Sequence, residues 1–140
     1  KVLPHVFEIS MGIDRSLYTI LEHSLKKDEE HERMVLSLKP YLSPVHVGIL
    51  SLVKKDGLKE KTDEIFLNIK RKFDAFLDHS GAIGRRYRRL DEIGAPFAIT
   101  VDHQTLEDNT VTIRKRDSME QSRVNISEID SILSGSVAFP

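Results

Sequence analysis

VHVGILSLV, residues 45–53, is apolar on both faces of an extended chain and rich in β-branched side chains. A strand with one face in water alternates apolar and polar residues. This one does not, so it reads as a central strand covered on both sides, the signature of an α/β domain. His46 within it reads as a satisfied core or edge histidine, not a ligand. Upstream, Pro40 and Pro44 bracket an extended approach to the strand. Downstream, a turn over residues 54–57 leads to a helix expected to begin near Thr62, a suitable N-cap, with Asp63 and Glu64 in the favourable first turn. Its apolar stripe is Ile65, Ile69, Phe73, Phe76 and Leu77, spaced by three and four, with Lys70, Arg71 and Lys72 on a solvated face.

Further out, residues 97–101 and 110–114 alternate as strands, with a turn over residues 106–109, which predicts a hairpin. Ser127 is placed to cap a last short helix through Leu133. Residues 134–140, SGSVAFP, carry no amphipathic pattern and read as a flexible tail. At the other end, residues 1–10 read as a short strand with Phe7 and Ile9 on one face and Glu8 and Ser10 on the other. Gly12 ends it, and Asp14 is placed to cap a helix striped by Leu17, Ile20, Leu21 and Leu25. The run KKDEEHER, residues 26–33, has no apolar period and reads as a charged linker at a domain boundary. The expected architecture is α/β: a mixed β-sheet flanked by helices over residues 34–133, preceded by a strand–helix piece over residues 1–33.

Composition narrows the chemistry. The chain has 140 residues, a formal net charge of −1 and no cysteine. Disulfides, thiol catalysis and cysteine zinc sites are excluded, and the size suffices for a core without metal support. No apolar run approaches the ~18 residues needed to cross a bilayer, so no membrane association is expected. The six histidines show no metal-ligating spacing, and there is neither a phosphate-binding GxxxxGK[ST] loop nor GxGxxG. Ser80 beside His79 lacks the surroundings of a nucleophile.

Charge is locally segregated instead. SGAIGRRYRRLDEIGAPF, residues 80–97, holds Arg85, Arg86, Arg88 and Arg89 around Tyr87. Guanidinium forks match phosphates and base edges and stack on planar rings. Gly81 to Gly84 has the GxxG form of loops that clamp a nucleic-acid backbone, a weak signal by itself. Arg114, Lys115, Arg116 and Arg123 extend the positive charge. Together with His103 they can stack on and hydrogen-bond unpaired bases, while Asp102 can accept from a cytosine amino group. The alternative is a surface turn in which the arginines are salt-bridged to Asp91 and Glu92, and the residue chemistry leaves both open.

The runs FEISMGIDRSLYTILEHS (7–24), SGAIGRRYRRLDEIGAPFAITVD (80–102) and LEDNTVTIRKRDSMEQSRVNISE (106–128) resemble the C-terminal part of glycyl-tRNA synthetases, class II aminoacyl-tRNA synthetases. The chain departs from the family's common IEPSFGIDR in reading FEISMGIDR, and has His79 where the family tends to have an aspartate. The resemblance implies an anticodon-binding domain of class IIa type from about residue 42. It implies that residues 6–25 are motif 3 of the catalytic domain, with Arg15 on the ATP phosphates and Glu8 and Ser10 in the glycine pocket. With an anticodon loop ending in two cytosines as the partner, guanidinium donors and a stacking imidazole make Arg85, Arg86, His103, Arg114 and Arg116 the anticodon-reading candidates. The parent would ligate glycine to tRNA(Gly) with ATP and Mg2+, as a homodimer, in the cytoplasm or an organelle. Motifs 1 and 2 would lie before Lys1, so the fragment would bind tRNA without catalysing. The alternatives are a non-catalytic relative, such as a polymerase accessory subunit, and a purely protein-binding module.

Overall fold

A computed structural model describes residues 2–53 and 57–138. The central-strand expectation holds. β3 (Val47–Ser51) is buried along its whole length and lies between β4 (Ala75–Asp78) and β5 (Phe97–Val101), parallel to both. β6 (Thr110–Lys115) pairs antiparallel with β5, and β7 (Gln121–Asn125) antiparallel with β6, so the sheet order is β4-β3-β5-β6-β7. It is the expected mixed sheet.

Helices cover both faces. α2 (Leu58–Ile69) and α5 (Ile129–Val137) pack Leu58, Ile65, Ile69, Ile129 and Leu133 against Val47, Ile49, Ile99, Val101, Val111 and Ile113. α3 (Ile83–Ile93) lays Ile83, Tyr87 and Leu90 on the other face against Leu50 and Ala98. The arginine stretch is therefore the exposed and flanking side of an amphipathic helix, not a turn, because its apolar residues recur at i, i+4 and i+7. At Gly48 a Cβ would stand 2.8 Å from Leu90 Cγ and nearer still to both methyl groups, so α3 rests directly on the β3 backbone.

Several expectations are corrected. α2 starts after Gly57, whose φ of +76° suits glycine, and the turn expected over residues 54–56 lies outside the described residues. Thr62 is inside that helix and donates its hydroxyl to the Leu58 carbonyl at 2.5 Å, so it is no N-cap. α2 also stops at Ile69; Phe76 and Leu77 belong to β4, where pairing with β3 overrides the helical period. The expected turn at residues 106–109 is mostly helix, α4 (His103–Asp108), opened by a capping box between Asp102 and Thr105 and closed by Asn109 at φ +54°. β7 has the polar sequence QSRVN and gives no apolar signal. Asn125, not Ser127, caps the closing 3-10 turn, and α5 runs to Val137, past the expected end at Leu133.

The N-terminal region differs most. Residues 2–12 form no strand, and Phe7 and Ile9 are 89% and 78% exposed. No described segment lies beside them to complete a ladder, without which an extended chain gains little. α1 (Ile13–Ser24) follows, with no buried residue. The charged run is a hairpin: β1 (Leu25–Asp28) pairs antiparallel with β2 (Arg33–Leu36). β2 is ordered by tertiary contacts, with Val35 and Arg33 buried, which local charge patterning does not reveal.

Candidate functional site

Because β3, β4 and β5 are parallel, their carboxyl ends share one edge of the sheet, and α3 and α4 both begin there. The connection leaving β3 crosses one face as α2 and the connection leaving the neighbouring β4 crosses the other as α3, the arrangement in which open α/β sheets take ligands at their strand ends.

Arg86 builds the edge from within. It is 3% exposed, and its Nη1 donates to the carbonyls of Ser51 at 2.6 Å and Asp78 at 3.3 Å, joining the ends of β3 and β4. Burial lowers its pKa, offset in part by Asp78. Asp78 Oδ1 accepts from the Ser80 N–H at 2.7 Å and hydroxyl at 2.9 Å, while Oδ2 lies 2.8 Å from Arg89 Nη2. Desolvation opposes ionisation of Asp78, but these donors together hold its carboxyl below the usual range. His79 bridges the same edge, with Nδ1 3.0 Å from Ser51 Oγ and Nε2 3.0 Å from Asp63 Oδ1. That Ser–His–Asp string is structural, since Ser51 is fully buried.

Arg85, one residue earlier, points the other way. It is exposed, its guanidinium has no hydrogen-bond or ion-pair partner among the described residues, and it lines an open cavity of about 420 Å³ with Ser80, Gly81, Arg88, Arg89 and Glu92. His103, the first residue of α4, is likewise exposed and unpaired among the described residues. β4 and β5 are two strand spacings apart, so the strand ends that launch α3 and α4 are roughly 10 Å apart.

Between α4 and the hairpin strands, Arg123 sits on Asp102 in a two-point pair, Nη1 to Oδ2 at 2.5 Å and Nη2 to Oδ1 at 2.8 Å, and donates from Nε to Thr110 Oγ1 at 2.7 Å. The Arg123 hydrogen bond is the main cause holding the Asp102 carboxyl below its usual range, against desolvation. Asp102 is thus committed to Arg123 and to the α4 cap, and is not a free acceptor for a base. Arg123 stands at the edge because β7 pairs it opposite Thr112, an arrangement invisible until β7 is seen.

The other sequence candidates are elsewhere. Arg114 is buried on the α3 face, with Nη1 and Nη2 donating to Asp91 Oδ1 and Oδ2 at 2.9 and 3.1 Å. Arg116 is 2% exposed at the opposite edge, where its donors reach the carbonyls of Leu36, Leu38 and Gly94 and the Asp117 carboxylate. The expected positive surface over Arg114 and Arg116 is corrected: both are internal ties, as is Arg86, because carboxylates and carbonyls distant in sequence converge on them. The alternative in which the arginine run is salt-bridged to Asp91 and Glu92 is corrected as well: Glu92 is exposed, Asp91 is taken by Arg33 and Arg114 from outside the run, and Arg89 pairs with Asp78 instead.

Glu8, Ser10 and Arg15 are exposed, and among the described residues their side chains make no hydrogen bond, although the Arg15 carbonyl accepts from the Thr19 hydroxyl at 2.9 Å. Among the described residues no group of three or more His, Cys, Asp or Glu is arranged to hold a metal, and no helix is long and apolar enough to cross a membrane.

The family described as "Anticodon binding domain" matches residues 46–135. A glycine–tRNA ligase of Archaeoglobus fulgidus is 51% identical over 137 residues, covering 95% of this chain and 24% of that protein. One of Methanothrix thermoacetophila is 50% identical over 145 residues, covering 99% of this chain and 25% of its own length. The chain therefore spans about a quarter of the length of these curated relatives. The RNA binding domain of threonyl-tRNA synthetase from Cryptosporidium parvum shares the fold, with a TM-score of 0.67 at 22% identity over 74% of this chain and 26% of that one.

Proposed function

The chain belongs to the family of anticodon-binding domains, and on that premise we propose that it is the tRNA-reading part of a glycine–tRNA ligase, binding the anticodon loop of tRNA(Gly) at the carboxyl edge of its sheet. The observation that carries the reading is Arg85, an exposed guanidinium with no partner among the described residues, at the strand ends where α3 and α4 start. Glycine anticodons end in two cytosines. Guanidinium donors suit cytosine O2 and N3, and an imidazole can stack on an unpaired base. Arg85 and His103 are the direct contacts, with Arg123 presented beside them by Asp102. Arg86, Arg114 and Arg116 act by shaping the wall.

The parent enzyme joins glycine to tRNA(Gly) using ATP with Mg2+, and works as a cytoplasmic homodimer. Residues 1–33 continue its catalytic domain, and residues 34–133 form the RNA-binding unit. Arg15, an exposed guanidinium in the first turn of α1, fits an ATP phosphate, and Glu8 and Ser10 fit the ammonium of glycine. Identity with the ligases leaves the accessory-subunit alternative without a supporting observation.

The test is a titration of the chain with a glycine anticodon stem–loop and with a version in which both cytosines are changed, at two salt concentrations. Preference for the cytosine pair at both salts supports the proposal. Equal binding that vanishes at high salt reduces it to phosphate attraction.

A further inference from the structure

Asp91 lies in α3, is 1% exposed, and takes three guanidinium N–H bonds: one from Arg33 Nη1 at 2.9 Å and two from Arg114. Arg33 comes from β2, and its Nε donates to Asp28 Oδ2 at 2.8 Å, at the end of β1. Its Nη1 also reaches the Arg116 carbonyl at 3.0 Å. Asp28, Arg33, Asp91 and Arg114 thus form a string of alternating charge from the turn of the N-terminal hairpin to the middle of the sheet.

The string continues toward the RNA edge. The Arg114 guanidinium lies 5.0 Å from the centre of the Tyr87 ring, and Tyr87 Oη is 2.6 Å from Thr100 Oγ1. Thr100 pairs with Thr112, and Thr112 with Arg123, which holds the cap of α4 through Asp102. A second tie joins the same hairpin to α3: Arg88 Nη1 donates to the Glu32 carbonyl in the hairpin turn. Through these contacts the hairpin holds a guanidinium on Asp91, and Asp91 in turn holds the guanidinium lying over Tyr87.

We infer that Arg33, Asp91 and Arg114 are positioning residues that couple the seating of the β1–β2 hairpin to the RNA-reading edge, so that each stabilises the other. This rests on the anticodon reading proposed above. The geometry favours a rigid link over simple support, because one buried carboxylate is shared between the two elements and cannot be optimised for one alone. Coupling of this kind is reciprocal: whatever the hairpin does to RNA affinity, RNA does to the hairpin. Since the hairpin directly follows α1, the link also carries the state of the RNA edge toward the segment that bears Arg15.

Amide hydrogen exchange on the whole 140-residue chain tests it, with and without a saturating glycine anticodon stem–loop. The expected result is slower exchange in residues 25–36, which are outside the RNA contacts proposed above, and loss of that response in Arg33→Gln. Arg33→Gln is also expected to bind the stem–loop about 3- to 10-fold more weakly, with an unchanged salt slope, and Arg33→Lys to recover part of the loss. A merely structural Arg33 would lower the melting temperature and leave the RNA-dependent protection in place. If RNA binds the wild-type chain but leaves exchange in residues 25–36 unchanged, the coupling is overturned and the anticodon reading stands. If the wild-type chain does not prefer the cytosine-bearing loop, both fall. Should Arg33→Gln fail to fold, the wild-type exchange comparison decides alone.

Discussion

The Arg86 guanidinium donates to the Ser51 carbonyl at 2.6 Å, tying the first turn of α3 to the last residue of β3, while Arg85 beside it faces solvent. Two adjacent arginines therefore do opposite work. Arg86→Ala leaves the Ser51 and Asp78 carbonyls short of a donor in the interior and is expected to destabilise the fold by about 2–4 kcal/mol. Arg85→Ala should change stability by less than about 0.5 kcal/mol, yet weaken stem–loop binding by roughly 1–3 kcal/mol. Urea midpoints and RNA titrations on both variants separate the roles, and a stable Arg86→Ala would refute the internal assignment.

Gly48 is the point where α3 rests on the sheet. Its substitution by alanine forces a methyl group into the space of the Leu90 side chain, which has β3 beneath it and the rest of α3 behind it. Gly48→Ala is expected to cost about 1–3 kcal/mol, the usual penalty for overpacking. The check is a denaturant titration, in which Gly48→Ala combined with Leu90→Ala should lose less stability than the sum of the two single losses.

Arg116→Lys looks conservative and should not be. Arg116 spreads its planar donors over three carbonyls and a carboxylate, and an ammonium cannot reach them all. The expected loss is about 1–3 kcal/mol, since the interior Leu38 carbonyl would lose its donor, while those of Leu36 and Gly94 keep one each from the Leu38 N–H and the Ser43 hydroxyl. Under conditions where the variant is folded, stem–loop affinity should match wild type; a direct RNA contact would instead lower it.

Acid sensitivity follows from the carboxylates. The Arg33 hydrogen bond, aided by His31 and opposed by desolvation, lowers the Asp28 pKa to about 2. The Arg123 hydrogen bond likewise lowers that of Asp102. Unfolded aspartate titrates near pH 4, so these groups bind fewer protons when folded. Their stabilisation is complete above about pH 4 and is lost as pH falls toward 2. Asp28→Asn should therefore flatten the dependence of stability on pH between about 4 and 2, measured by urea midpoints at each pH.

What the sequence alone determined is what depends on neighbours along the chain. Residues 45–53 declared a doubly covered strand because burial on both faces removes polar alternation, and residues 97–101 and 110–114 declared their pairing through alternation and spacing. The GRRYRR run marked where positive charge gathers but not that it is helical, and motif resemblance pointed to the family that matches residues 46–135.

Only tertiary structure decided which charges are free. Arg85 and Arg86, or Arg114 and Lys115, carry the same local chemistry in sequence. Whether a guanidinium meets solvent or a buried carboxylate depends on partners 23 or more positions away, as Arg114 meets Asp91 and Arg33 meets Asp91 across 58. The same holds for the β1–β2 hairpin and for β7, whose polar sequences signal nothing until long-range pairing and packing supply the free energy that their own residues do not.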